Sequence, residues 1–263
     1  MSSSSLQVFP LPAFSDNYIW LLRRGQGSLA AVVDPGAAGP VLAHLEAESL
    51  ELAAILITHR HADHVGGIDA LLARYPGVPV FGPAAEPIPA RTHPLGDGDR
   101  IEVPGIEAEL DVLAVPGHTE GHIAYWGQGA LFCGDTLFSV GCGRVLGGTF
   151  EQLHDSLMRL RELPATTLVY CAHEYTLENI GFAKWVEPDN RDLLARERQA
   201  HGLIDHDLPT VPSTLALERA TNPFLRVTEE PVIEAVERHG GQSLGSSRAI
   251  FRALRVWKDT EYD

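Results

Sequence analysis

The stretch Thr58-His59-Arg60-His61-Ala62-Asp63-His64 places four metal-ligand side chains, His59, His61, Asp63 and His64, within six residues. It follows the apolar run Ala53-Ala54-Ile55-Leu56-Ile57, which reads as a buried strand. Side chains alternate along an extended chain, so His59 and His61 point the same way. A turn after His61 then brings Asp63 and His64 towards a second point nearby. One short peptide can therefore serve two metal ions at the end of a strand.

Three more apolar strands end on ligand-type residues: Pro116-Gly117-His118-Thr119, Cys133-Gly134-Asp135-Thr136 and Cys171-Ala172-His173-Glu174. Ligands at the ends of several strands converge on one edge of a sheet, where α/β folds keep their sites. Small neighbours (Gly117, Gly134, Ala172) let backbone approach closely. A division of labour follows: His59, His61 and His118 hold one metal, Asp63, His64 and His173 the other, and the two oxygens of Asp135 bridge them. Such pairs sit about 3.5–4 Å apart with room for a shared water. One Zn²⁺ alone brings a bound water to a pKa of roughly 7, so this water is hydroxide near neutrality. The set needs no thiolate, which marks an open hydrolytic site rather than a closed structural one. Imidazole with carboxylate suits zinc first, with iron or manganese as alternatives. Asp34, in Val33-Asp34-Pro35-Gly36, reads equally as a turn residue or as a group that orients a ligand imidazole.

At 263 residues with 44% apolar content the chain fits one large domain or two modest ones, and no stretch approaches a membrane span. The serine run Met1–Ser5 has no charged or apolar leader pattern and reads as a frayed start. Three cysteines without a C-x-x-C pair argue for reduced thiols in the cytoplasm. A net charge of −15 disfavours nucleic acid and anionic membrane as partners. The other seven histidines, His122 included, lack ligand spacing and read as ordinary core or surface groups.

Along the chain, strands are expected around Leu6–Leu22, Ser28–Val33, Ala53–Ile57, Val78–Phe81, Glu109–Val115, Ile123–Trp126, Ala130–Cys133 and Thr167–Cys171. Helices are expected over Gly39–Leu52, Val65–Arg74 and the amphipathic Phe150–Leu163. After about Tyr175 only helical patterns remain, at Leu177–Val186, Asn190–His201 and Glu230–His239. The expectation is a mixed α/β domain over 1–175 and a smaller helical domain over 176–263.

T-H-x-H-x-D-H with the later His, Asp and His resembles the metallo-β-lactamase superfamily. Phe14-Ser15-Asp16-Asn17-Tyr18, Gly134-Asp135-Thr136-Leu137-Phe138, Gly141-Cys142-Gly143-Arg144, Cys171-Ala172-His173-Glu174-Tyr175, Asn222-Pro223-Phe224-Leu225-Arg226 and Leu254-Arg255-Val256-Trp257-Lys258-Asp259 resemble, nearly end to end, the glyoxalase II (hydroxyacylglutathione hydrolase) family. The resemblance implies an α+β fold, an αββα sandwich followed by a helical domain. It implies hydrolysis of S-D-lactoylglutathione to glutathione and D-lactate in methylglyoxal detoxification, with Asp63 and Asp135 as catalytic carboxylates. It assigns substrate contacts to Arg144, Tyr175, Arg255 and Lys258, the local cationic patch that an acidic chain needs for an anionic substrate. Where members of the family often carry an aromatic residue two places after the basic one, this chain has Leu146, after Val145, which implies one hydrogen bond fewer to the glutathione peptide.

The expected product is a thioester hydrolase, two divalent ions per chain, a monomer, in the cytoplasm. The alternatives are a persulfide dioxygenase with one iron, a nuclease, which the charge disfavours, and a non-catalytic metal module, which the lack of thiolate ligands disfavours.

Overall fold

The first sheet starts with β1 (Leu6–Ala13), whose Pro10 and Pro12 suit the sheet edge it occupies, because an edge strand needs only one row of ladder hydrogen bonds. The computed structural model describes residues 5–262; the first four residues of the serine run lie outside them. β2 (Asn17–Arg24) pairs antiparallel with β1 and with β3 (Leu29–Val33). After α1 (Ala38–Ala47) come β4 (Glu51–Leu56), the short α2 (Ala62–Val65), α3 (Ile68–Arg74), β5 (Val80–Pro83) and β6 (His93–Leu95). The sheet order is β1-β2-β3-β4-β5-β6, parallel from β3 onward. β3 and β4 are apolar on both faces, as central parallel strands must be. β7 (Arg100–Val103), β8 (Ala108–Ala114), β9 (Ile123–Gly127) and β10 (Ala130–Gly134) form an antiparallel meander.

The remaining elements are the hairpin β11 (Leu137–Phe138) and β12 (Gly141–Cys142), α4 (Phe150–Arg161), β13 (Leu168–Cys171), α5 (Thr176–Val186), α6 (Arg191–Ile204), β14 (Ser213–Thr214), α7 (Leu215–Thr221), a 3₁₀ turn (Pro223–Leu225), α8 (Glu230–Gly240) and α9 (Ser247–Glu261). α4 begins at a capping box, Thr149 with Gln152, and buries Leu153, Leu157 and Leu160; such a cap contributes about 1 kcal/mol. The chain divides into two compact units, Met1–Ala114 with Gly121–Gly134, and Val115–Glu120 with Asp135–Asp263. Each has an apolar core, the first around Ile19, Val32, Ile55, Ile57 and Ile68, the second including Ile180, Ala183, Leu193 and Ala200.

Several elements differ from expectation for local reasons. The helix expected to Leu52 ends at Ala47, because Ser49 takes φ +54° and Leu50 N donates back to Leu45 O at 2.8 Å. The helix expected over Val65–Arg74 is split into α2 and α3, where Gly67 N turns to Pro35 O at 2.9 Å. β6, β7, the β11–β12 hairpin and α7 are too short to show a period. β14 is a two-residue strand on β13, in a region expected to hold helices only.

Candidate metal centre

In the first unit the ligand run continues straight out of β4. Ile57 N donates to Phe81 O at 2.9 Å, and Thr58 O accepts from Ile123 N at 3.0 Å, so the chain stays extended up to His59. His61 is the extended N-cap of α2, and Asp63 and His64 lie in its first turn. Asp34 fixes this corner. One of its oxygens accepts from Thr58 N at 2.8 Å, and the other accepts from Thr58 Oγ1 at 2.7 Å and faces His64 Nδ1 at 3.0 Å. Its carboxylate therefore holds the proton of His64 on Nδ1 and turns Nε2 outward, so the orienting reading of Asp34 holds rather than the turn alone. The Thr58 hydroxyl spends its hydrogen on Asp34, so towards His59 Nδ1, 3.1 Å away, it accepts. His59 thus also carries its proton on Nδ1. Its Nε2 lies 3.0 Å from His61 Nδ1. Asn17 Nδ2 donates to Asp63 Oδ2 at 3.0 Å, and that oxygen is 3.4 Å from His64 Nε2. Gly36 lies flat against this turn; a Cβ there would overlap the Asp63 carbonyl. His122, read as an ordinary histidine, is buried and stacks on His59 with ring centroids 4.6 Å apart.

In the second unit, Asp135 is the hub. Its Oδ2 is 3.4 Å from His118 Nε2 and its Oδ1 is 3.4 Å from His173 Nε2. One carboxylate thus offers an oxygen beside each of two imidazoles. His118 Nδ1 donates to Arg144 O at 2.8 Å, which again leaves Nε2 to face the carboxylate. His173, directly after β13, is stacked face to face on Tyr175 at 4.8 Å and meets the edge of Phe138 at 5.7 Å.

Three cations expected to meet substrate lie on or near α9. Arg255 Nε and Nη2 donate to Asp259 Oδ1 at 3.1 and 2.7 Å, Nη1 donates to Cys142 O at 3.0 Å, and the guanidinium lies over the Phe224 ring. Half-exposed Arg144 brings its Nε within 3.7 Å of the same Asp259 oxygen. Lys258 Nζ donates to Asn179 Oδ1 at 2.9 Å. Asp259, which ties Arg144 to Arg255, was missed from the sequence; its i+4 spacing from Arg255 was the available signal.

Within each unit the donor atoms stand together, His59 with His61 and Asp63 with His64 in the first, and His118 and His173 about Asp135 in the second. Ligands 2.0–2.1 Å from a tetrahedral zinc stand about 3.3 Å from one another, so the three carboxylate–imidazole separations of 3.4 Å fit a shared metal edge. No cysteine joins either group among the described residues. Burial pushes the Cys142 thiol up to about 11 and the Cys171 thiol up to about 12, so both stay protonated and poor as ligands.

The family model described as the metallo-beta-lactamase superfamily matches residues 14–173, and the one described as the hydroxyacylglutathione hydrolase C-terminus matches 174–261. A hydroxyacylglutathione hydrolase of Alkalilimnicola ehrlichii is 55% identical over 96% of this chain and 98% of its own length. One of Nitrosomonas eutropha is 49% identical over 97% and 98%. Among solved structures, ETHE1 from Myxococcus xanthus is 25% identical, covers 95% of this chain and 96% of its own, and superposes with a TM-score of 0.63. The α+β fold is the metallo-β-lactamase fold with a C-terminal helical region, and the chain belongs to the metallo-beta-lactamase superfamily and, within it, to the hydroxyacylglutathione hydrolases.

Proposed function

We propose that the chain hydrolyses S-D-lactoylglutathione, and S-2-hydroxyacylglutathiones generally, to glutathione and the free hydroxy acid, as a step in methylglyoxal detoxification. The observation that carries the reading is the Asp135 carboxylate, which presents one oxygen beside His118 and the other beside His173, so that it can serve both donor groups. His59, His61 and His118 would hold one divalent ion, Asp63, His64 and His173 the other, and Asp135 both, with zinc first and iron or manganese as alternatives. Bound there, such ions supply a water that is nucleophilic at neutral pH and a Lewis acid for the thioester carbonyl.

The chain's own groups do the rest. Asp34, Thr58 and the Arg144 carbonyl keep the Nδ1 protons on His64, His59 and His118, so that each Nε2 stays available. Asp63 accepts a hydrogen bond from the attacking water and orients it. When the carbonyl re-forms, the C–S bond breaks, and glutathione leaves as a thiolate whose conjugate pKa is about 8.5, so no dedicated general acid is needed.

Arg144, Tyr175, Arg255 and Lys258 are the proposed glutathione contacts. Arg255 and Lys258 share a face of α9, and a glycine carboxylate binding there would share Arg255 with Asp259. In this scheme 1–175 is the catalytic metal-binding domain and 176–263 the substrate-binding one. The proposal includes a monomer working in the cytoplasm; no helix among the described residues is long and apolar enough to cross a membrane.

The test is loss of thioester absorbance from S-D-lactoylglutathione, with metal content measured on the same sample. Rapid hydrolysis at close to two metals per chain is expected. A filled site without hydrolysis would overturn the reading, and oxygen consumption with glutathione persulfide would then point to the dioxygenase.

A further inference from the structure

Between Asp135 and Arg144 the chain makes the tight β11–β12 hairpin, with Ser139 and Val140 at its tip. Val140 has φ +59° and is 1% exposed. For a β-branched residue this left-handed conformation is a genuine outlier, which persists only where the surroundings impose it. Here they do so through side chains that follow residue 176. Glu218 Oε2 accepts from Val140 N at 2.7 Å. Asn222 Nδ2 donates to Phe138 O at 3.2 Å and to Gly141 O at 2.9 Å. Asn179 Nδ2 donates to Ser139 O at 3.1 Å, Arg196 Nη2 to Ser139 Oγ at 3.2 Å, and Arg255 Nη1 to Cys142 O at 3.0 Å. Glu218 and Asn222 are fully buried and bonded to each other at 3.2 Å, and Ser213 Oγ donates to the second Glu218 oxygen.

The hairpin connects directly to the donor groups. Gly143 lies against Asp135 so closely that a Cβ would overlap the Asp135 carbonyl, and its N donates to Thr136 O at 3.3 Å. The next carbonyl, that of Arg144, is the acceptor for His118 Nδ1. A shift of the hairpin would therefore displace the Asp135 backbone, the acceptor that orients His118 and the base of the Arg144 side chain together.

We propose that Glu218, together with Asn222, is a positioning residue for the metal ligands Asp135 and His118: it imposes the strained Val140 turn and so sets both donors from a distance. The assignment rests on the metal-dependent reading above. Glu218 touches neither substrate nor ligand and acts only through the hairpin. Its hydrogen bonds, rather than its charge, carry the effect, because a glutamine can accept from Val140 N and Asn222 with its oxygen while its amide donates to Ser213 Oγ.

The test is Zn²⁺ affinity by competition with a chromophoric chelator, with thermal denaturation of the same samples. Glu218→Ala is expected to lose about tenfold or more in zinc affinity, the scale of losing a group that orients a ligand. Glu218→Gln is expected to return to within about threefold of the parent. Glu187→Gln is the control: that buried carboxylate pairs with Arg226, away from the hairpin, so its loss lowers the melting temperature and leaves zinc affinity unchanged. Should Glu218→Ala not fold, Glu218→Asp, which keeps the carboxylate but withdraws it from Val140 N by one methylene, takes its place, with an expected loss of about threefold or more. Parent-like zinc affinity in the disruptive variant, or an equal loss in Glu187→Gln, overturns the proposal. A parent protein that binds zinc but leaves thioester intact would sink the hydrolase reading and leave the positioning result standing.

Discussion

The two ligand-bearing segments, His59–His64 and Asp135–Arg144, are held in opposite ways. The first is positioned by separate contacts from its own unit: Asp34 on Thr58 and His64, Asn17 on Asp63, Glu86 on Arg60 N, and the flat surface of Gly36. The second is positioned by side chains from far along the chain, with Asn179, Arg196, Glu218, Asn222 and Arg255 closing on one hairpin. A corner held by separate contacts can lose one and keep the others. A buried polar network is rigid while every member is satisfied and fails when one is removed. Precision at the second segment thus comes from the helical region, which on the proposed reading also meets substrate.

The largest expected contrast is between the two carboxylates. Asp135 faces two imidazoles, one with each oxygen, whereas Asp63 faces one. Asp135→Ala should therefore lower the zinc content of both groups, and Asp63→Ala that of one. Hydrolysis should fall by at least about 10²-fold in each, the scale of removing one preorganised electrostatic group. Metal analysis with kcat/KM on the same preparations checks this. Equal zinc loss from the two variants would remove the bridging role of Asp135.

A smaller effect is expected from Asp34→Asn. The amide cannot accept both hydrogen bonds from Thr58 and also face the Nδ1 proton of His64, so the His64 ring loses its orienting acceptor. A loss of about 10–100-fold in zinc affinity is the scale for such a group. If zinc titration shows no change, Asn17, Glu86 and the backbone hold the first segment without Asp34, and the contrast with the second grows sharper still.

The same contrast decides what was legible in the sequence. The ligand run after β4 could be read because its ligands are contiguous and strand alternation orders them. His118, Asp135 and His173 could be read because each closes an apolar strand beside a small residue. The hairpin between Asp135 and Arg144 could not. Its strands are two residues long, and a valine gives no hint of a left-handed turn. Nor could the role of Glu218, since an acid in a short helix ordinarily reads as a solvated face, and only the folded chain shows it at 0% exposure. Non-local hydrogen bonds leave no spacing for a sequence pattern to reveal.

The smallest effect is also the most specific to the second segment. Burial lifts the Glu218 carboxyl above its ordinary value of 4.5, against the opposing pull of the Ser213, Val140 and Asn222 donors and of Arg196. The folded chain therefore holds this proton more tightly than the unfolded chain does. The stability this group contributes is complete below about pH 4.5 and is lost as the pH rises through the raised folded value. Glutamine at 218 does not titrate, so its melting temperature relative to the parent should climb with pH. The gap between the two proteins should widen steadily between acid and neutral solution. Scans of the two metal-free proteins, paired at each pH, isolate the difference. A gap that stays constant with pH would mean that Arg196 and the three donors offset the cost of burying the charge, and Glu218 would then hold the hairpin as a carboxylate at every pH tested.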